Sequence, residues 1–496
     1  MIAAVIATPP VDWYALTPIL ILLGATAVCL LAAVLLPLGW KRPFSAIVTG
    51  GAFVAAFIVA ALLFDDSAKP AGVVANAVIR DRLGSYAAFV ICAAGLLTVF
   101  VSWRHGMRRH GSEYYGLLAA VGSGMLFFVG ANNLMTLFLG LEWFSIGLYI
   151  LCAIDVSLVG SLEAGLKYLI VGGFGSAVLL FGSALVYGST GMLGFSEIAS
   201  VTARQGLSDD LFLLAGLAMI IAGLAFKASA APFHMWTPDV YEGAPTPVTS
   251  FMSVATKAAA LIVTLRLLTT AFAVEAELWT IAIAVIACVS LAVGNLAAIV
   301  QTNVKRLLAY SSIAQAGFML IPIAAGNETG GKALLFYLVP YGAASLGAFA
   351  IVAAREREIG QPVTLETIGG LGWERPLLGA AMWVFMLSFA GLPFTGGFVA
   401  KFYAFTAAYE RGWTWLVIVG VIATAFSLYY YLAVIRAMYM RTAPTRIAAV
   451  GGQPPRELAL SAAVVSSAAI VVVTFFAVQP LIDLAEKAVA SLSFPY

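Results

Sequence analysis

The chain has 496 residues, with 26 Lys and Arg against 24 Asp and Glu, a formal net charge of +2. Hydrophobic residues make up 62% and charged residues 10%, against about 25% charged in an ordinary globular domain. That much apolar surface cannot fit inside soluble cores and must face lipid. Two or three soluble domains are therefore excluded, and the near-neutral charge gives no reason for a nucleic-acid partner. Cys29, Cys92, Cys152 and Cys288 stand isolated in apolar runs. They read as small buried hydrophobes, without disulfide or metal-site spacing. With only three histidines, haem or zinc is not expected, so no cofactor or metal is assigned to this chain.

A bilayer core of about 30 Å needs roughly 20 apolar residues per helix. The first residues, MIAAVIATPP, lack a basic region and a cleavage site, so no removable signal peptide is expected. Spans 1 to 3 are predicted at 15–37, 44–64 and 83–103, within an N-terminal unit 1–110. Spans 4 to 8 follow at 113–130, 131–154, 162–188, 210–232 and 247–273, within 111–273. Spans 9 to 13 lie at 278–300, 305–325, 332–354, 376–408 and 413–440, within 274–440. Span 14, at 457–479, and a tail complete 441–496. No linker is long or polar enough for a soluble domain, so the fold class is an all-α polytopic membrane bundle of about 14 transmembrane helices.

Basic residues set the orientation. The loops after odd-numbered spans hold 13, from Lys41 and Arg42 to Arg446 and Arg456, and the opposite side holds seven, among them Lys69, Arg204 and Lys332. The richer side is expected to be cytoplasmic, with both termini outside, in a bacterial inner membrane.

Six of the 26 bases fall inside spans: Lys167, Lys227, Lys257, Arg266, Lys401 and Arg436. Arg266 and Arg436 lie near helix ends and are expected to snorkel to the interface. One acid, Glu142, sits near the middle of span 5. A charge at the bilayer centre costs roughly 2.5–3.5 kcal/mol, so the four lysines and one acid unpaired would cost on the order of 12–18 kcal/mol. A static Glu142–Lys227 salt bridge is one reading, but it accounts for only one lysine. Releasing a proton at neutral pH costs a lysine about 4.6 kcal/mol, close to the cost of keeping the charge. Charged and neutral forms then lie close in energy, and a movable carboxylate neighbour switches between them, which is what a proton relay needs.

Pro232 follows Lys227 by five residues in span 7, and Pro393 precedes Lys401 by eight in span 12, beside Gly391, Gly396 and Gly397. Proline frees a helix carbonyl, which membrane depth tolerates only inside protein or along a hydrated cavity. Each break lies within about 12 Å of a lysine at 1.5 Å per residue. Two interrupted spans five helices apart point to an inverted repeat, spans 4–8 against 9–13. An ordinary kink at each proline is the alternative.

The strings KASAAPFHMWTPDVYEGAPTPVT (227–249), FMSVATKAAA, NVKRLLAYSSIAQAGF (303–318) and GLPFTGGFVAKFY (391–403) closely resemble the antiporter-like membrane subunits of respiratory complex I, NADH:quinone oxidoreductase, over roughly residues 110–440. FLGLEWFSIGLYIL in span 5, and lysine rather than glutamate in span 12, resemble subunit N rather than subunit M. The chain stops soon after span 14, without the long lateral helix of subunit L. The resemblance implies two inverted five-helix repeats with discontinuous helices 7 and 12, and proton translocation driven by electron transfer elsewhere in the complex. It also implies a coupling pair Glu142 and Lys227, a central relay Lys257, Lys401 on the second broken helix and Lys167 as auxiliary. Subunits M, A, J and K and lipids are the implied partners, with FMN and iron–sulfur clusters in other subunits.

Gln315 stands where the family often has histidine. It cannot titrate, so a relay through span 10 must run on water, with Tyr310, Ser311 and Ser312 as polar partners. Pro340 and Ser345 also depart from the pattern and put the span 11 path in doubt. Gly172, Gly173, Gly175 and Gly182 read as close-packing positions. GNETGGKA (326–333) mimics a phosphate loop but lacks the final Ser or Thr and a preceding strand. His234 either caps the span 7 break or transfers protons; His105 and His110 are expected to be solvated. Asp239 and Glu242 either guide protons or cap helices. The alternative functions are a subunit of a multi-subunit cation/proton exchanger and a non-conducting scaffold.

Overall fold

A computed structural model describes residues 11–104, 110–442 and 457–496; His105 and the bases Arg446 and Arg456 lie outside them. The described chain is almost wholly helical. Three helices come first: α1 (Trp13–Leu35), α2 (Leu38–Asp66) and α3 (Arg82–Ser102). The hairpin β1 (Ala71–Gly72) and β2 (Ile79–Arg80) joins α2 to α3, with Ala71 opposite Arg80. Then come α4 (Gly111–Val129), α5 (Leu134–Cys152), α6 (Val159–Thr190), α7 (Phe195–Gln205), α8 (Leu211–Lys227), α9 (Trp236–Gly243) and α10 (Thr246–Thr270). The next stretch holds α11 (Ala276–Ile299), α12 (Val304–Ala325), α13 (Glu328–Ile359), α14 (Leu371–Glu374), α15 (Pro376–Ala390), α16 (Gly396–Glu410) and α17 (Thr414–Met440). The chain closes with α18 (Leu458–Phe476) and α19 (Val478–Val489).

Twelve helices among the described residues are long and apolar enough to cross a membrane, and the shorter α8 and α15 stand at the two expected breaks. Local chemistry sets the boundaries. Asp81, Asn133, Asp210, Asn303 and Asn327 each accept a backbone N–H at a helix start, the usual capping role of short polar side chains. Four helices lie outside the predicted spans: the short α9 and α14, and the amphipathic α7 and α19. In α7, Phe195, Ile198, Val201 and Thr202 are buried on one face, and in α19, Ile482, Ala485, Ala488 and Val489. At 11 and 12 residues, both are too short to cross a bilayer core of about 30 Å.

The bundle is graded from lipid to core. Helices α1, α2, α6, α17 and α18 carry exposed large hydrophobics such as Val34, Ile58, Phe174 and Val421. In α10 every residue from Thr246 to Thr269 is buried, so the middle of this helix meets only protein. Gly182 and Gly216 let α6 and α8 approach closely, since a Cβ on either would lie 2.8 or 2.7 Å from the other's carbonyl oxygen. Gly172 and Gly175 likewise face Tyr149 and Phe226, whereas a Cβ on Gly173 would meet nothing within 4 Å. Gly173 is therefore not a packing position.

Arg266 corrects an expectation. It does not snorkel: it is buried, and its guanidinium donates to both carboxylate oxygens of Asp81, at 2.5 and 2.9 Å. The cap of α3 is thereby tied to α10. Arg436 is exposed, as expected of a snorkelling residue. Arg355, counted among the loop bases, is fully buried and donates to the carbonyls of Thr367 and Gly369 and to Glu358 and Glu374.

Candidate functional site: a buried lysine axis

Lys227 is the last residue of α8, where unpaired helix carbonyls favour a cation. Beyond it the chain breaks: Ser229 is left-handed, at φ 62°, and Ser290 of α11 accepts the Ala231 N–H at 2.8 Å. Lys227 is buried inside three rings, its Nζ lying 5.1, 5.7 and 5.2 Å from the ring centres of Phe144, Tyr149 and Tyr168. Its hydrogen-bond partner is the Tyr168 hydroxyl, at 3.5 Å. Tyr168 in turn stacks on Trp236, 4.5 Å away. Rings attract an ammonium without neutralising it. No ion pair joins Lys227 to Glu142 among the described residues, which removes the static-bridge reading. One Glu142 oxygen is buried without a hydrogen-bond partner.

Lys257 sits midway along α10 and donates to Ser312 Oγ at 2.6 Å. Ser312 and Tyr341 share a hydrogen bond of 2.8 Å, and Tyr341 also donates to the Ser253 carbonyl at 3.1 Å. Ser253 meets Ser345 at 2.7 Å. In span 11, α13 runs through Pro340, and Tyr341 and Ser345 of that helix make these hydrogen bonds.

One residue before Ser312, Ser311 pairs with Tyr431 at 2.6 Å. Gln315 donates to Tyr431 at 3.2 Å and to the Phe389 carbonyl at 2.9 Å, and accepts from Tyr337 at 2.7 Å. The next carbonyl, Ala390, ends α15 and accepts from Lys401 Nζ at 3.2 Å. Thr424 lies 3.4 Å from the same Nζ, and Phe318 packs 4.1 Å beneath it. Gly391 is left-handed, at φ 76°, and a Cβ there would lie 2.7 Å from the Lys401 chain, so glycine is needed twice over at this second break.

The structure thus places Lys257, Ser311, Ser312, Gln315 and Lys401 along a stretch of polar contacts that reaches the second break, at Pro393, while Lys227 stands in its own ring cage at the first, at Pro232. Tyr310, Lys167 and His234 fall outside, and Glu142 makes no hydrogen bond or ion pair to these residues among the described residues. Tyr310 is half-buried, with the Arg306 guanidinium 5.9 Å from its ring, and takes no part in the chain. Lys167 is not a buried charge: its side chain is 44% exposed and pairs with Glu163 at 2.7 Å and Asp239 at 3.0 Å. It stands in a cleft of about 690 Å³, lined also by Glu242, Lys305, Arg306 and Glu356. In that cleft Arg306 bridges Asp239 and Glu242 at 2.7 and 2.9 Å. Burial pushes the Asp239 carboxyl up, but hydrogen bonds and charge from Arg306 and Lys167 outweigh it and hold it below its usual range. His234 is half-buried, with Nδ1 lacking a hydrogen-bond partner, and His110 pairs with Glu113 at 3.8 Å.

Sequence reasoning missed the ring cage and the tyrosine hydroxyls. Tyr337 and Tyr341 sit four residues apart in an apolar run, one helix face, and that spacing was the available signal.

A family model described as "NADH:quinone oxidoreductase/Mrp antiporter, TM" matches residues 131–427. NADH-quinone oxidoreductase subunit N 2 of Roseiflexus castenholzii is 39% identical over 500 residues, 98% of each chain. A chain of respiratory complex I from Thermus thermophilus, with bound aureothin, is 32% identical, with a TM-score of 0.78 over 95% of this chain and 99% of that one. A chain of the Mrp complex from a Dietzia species shares the fold, with a TM-score of 0.82 at 22% identity over 96% and 97% of the two chains. The chain therefore belongs to the NADH:quinone oxidoreductase/Mrp antiporter family of membrane subunits, on its subunit N branch.

Proposed function

We propose that this chain, as subunit N of an NADH-quinone oxidoreductase, carries protons across the membrane along the axis Glu142, Lys227, Lys257 and Lys401, driven by electron transfer in other subunits. The observation that carries the reading is that Lys227, Lys257 and Lys401, buried within the spans, are each held by neutral groups and none by a carboxylate, unlike the buried Lys305, which faces Glu356 at 3.8 Å. Lys227 has rings and one hydroxyl, Lys257 a serine, Lys401 a carbonyl and a threonine. A buried ammonium fixed to a carboxylate holds its proton; one held by hydroxyls and carbonyls stays close in energy to its neutral form.

Hydroxyls donate and accept at once, so Ser312, Tyr341, Ser311 and Tyr431 form a route between Lys257 and Lys401, with Gln315 as a bridge that cannot titrate. On the Lys227 side, Tyr149, Ser229, His234, Thr237 and Tyr241 hold buried polar atoms without a protein partner. Such atoms take ordered water, which supports a wetted link from Lys227 to Lys257. We place Lys167 at the mouth of the charged cleft, where Asp239 and Glu242 draw protons toward the first break.

The chain is a multi-pass membrane protein. The 13-to-seven distribution of loop bases supports a cytoplasmic cleft and outward-facing termini in a bacterial inner membrane. The two broken helices support division into 1–110, a first five-helix repeat 111–273, a second 274–440, and 441–496. Subunits M, A, J and K are the proposed neighbours, with FMN and iron–sulfur clusters confined to other subunits. Purifying the tagged chain from native membranes tests the reading: co-isolation of flavin and iron–sulfur subunits with NADH-driven proton movement is expected. A complex lacking both, but exchanging sodium for protons, would support the cation-exchanger alternative instead.

A further inference from the structure

Away from the lysine axis, α2, α3, α10, α13, α18 and α19 line a groove of about 240 Å³. Phe57, Phe89, Ala93, Gly342, Leu346 and Ile470 are among its walls. It lies beside Val54, Ile58 and Leu62 of α2, which are 41, 53 and 56% exposed, on the face that meets lipid. Arg82 stands one helical turn beyond the groove on the same face of α3, in the series 82, 86, 89 and 93. Its Nε donates to the Phe64 carbonyl at 3.0 Å and its guanidinium lies 5.3 Å from the Phe64 ring centre. Phe64, Phe89 and Phe57 then lead into the groove, with ring centres 5.8 and 5.1 Å apart. The adjacent acid, Asp81, is engaged by Arg266 through both oxygens, and Arg82 joins no ion pair among the described residues. α2 ends on Asp65 and Asp66, exposed and next in the chain to the carbonyl that Arg82 holds.

We propose that this groove is a phospholipid site. One acyl chain fills the apolar groove, the Arg82 guanidinium binds the phosphate, and Asp65 and Asp66 select a headgroup that carries an amine, as phosphatidylethanolamine does. Water would gain little between such apolar walls, whereas a chain ending in a phosphodiester matches both the groove and the free fork of the arginine. The bound chain touches two axis helices, at Val254, three residues before Lys257, and at Gly342, next to Tyr341.

The complex containing this chain is exchanged into nanodiscs of equal phosphatidylethanolamine and phosphatidylglycerol. It is then washed with mild detergent, and the retained lipid is counted by mass spectrometry. The intact chain is expected to keep phosphatidylethanolamine preferentially. Ala93→Phe, which fills the groove, removes about one such lipid per chain. Arg82→Gln loses it about tenfold more readily, the scale of one charge-assisted hydrogen bond. If Ala93→Phe fails to assemble, Arg82→Gln alone decides. Equal retention in the intact and Arg82→Gln chains overturns the site, and equal retention of the two lipids overturns its headgroup preference.

Discussion

Ser312→Ala is the sharpest perturbation of the axis, because it deletes one oxygen from a fully buried place. That oxygen accepts from Lys257 Nζ at 2.6 Å and pairs with Tyr341 at 2.8 Å. Tyr341 keeps its bond to the Ser253 carbonyl, so the loss falls on the lysine, which makes no other side-chain hydrogen bond among the described residues. A hydrogen bond to a charged group contributes about 1.5–3 kcal/mol, and at 1.36 kcal/mol per decade this is about a 10- to 150-fold effect on any step that needs the ammonium there. Removing a single buried hydroxyl leaves packing nearly unchanged, so assembly should persist. The assay is NADH-driven proton uptake by reconstituted vesicles, set against electron transfer to a dye that bypasses the membrane arm. Pumping should fall by one to two orders of magnitude while dye reduction holds, and Ser312→Thr, which keeps the oxygen, should restore most of it. Pumping at the original rate in Ser312→Ala would refute the hydroxyl route.

Asp81→Asn strips the buried Arg266 of its bidentate partner and should cost about 3–5 kcal/mol, whereas Asp81→Leu with Arg266→Met should cost far less; equal thermal stability of the two variants would contradict this. Gly182→Val pushes a side chain into the Gly216 carbonyl and should destabilise by about 1–3 kcal/mol, while Gly173→Ala should be neutral or stabilising by about 1 kcal/mol; subunit retention in blue-native gels separates them. Asp239 has its carboxyl held below the ordinary value, so its contribution is present above about pH 3.9 and is lost as the pH falls further. Protection of the amides in Trp236–Gly243, taken relative to the intrinsic exchange rate at each pH, should therefore fall on acidification, and Asp239→Asn should show low protection at every pH; wild-type protection that does not change with pH would contradict the cleft ion cluster.

The spans were legible because about 20 apolar residues in a row have few other fates, and the breaks because proline and glycine clusters sit beside lysines. Twelve long helices and two short ones fall where the fourteen spans were read. The amphipathic α7 and α19 escaped because runs of about 20 apolar residues were the signal sought, and helices of 11 and 12 residues with one apolar face do not make such runs. Arg266 and Lys167 show a different limit from opposite sides. Arg266, near a helix end, is buried because Asp81, 185 residues away, meets it. Lys167, inside an apolar run, is exposed because a cleft opens beside α6. Hydropathy locates a residue along the membrane normal; whether it faces lipid, protein or water depends on which helix stands next to it. Gln315 looked like a gap in the relay, and its hydroxyl partners on α13 and α17 became visible only once those helices were placed.

The most direct test replaces the centre of the axis. In the reconstituted complex, Lys257→Ala should leave NADH oxidation by a dye acceptor intact while the number of protons moved per electron drops. An unchanged proton-to-electron ratio would contradict the relay and leave Lys257 as packing.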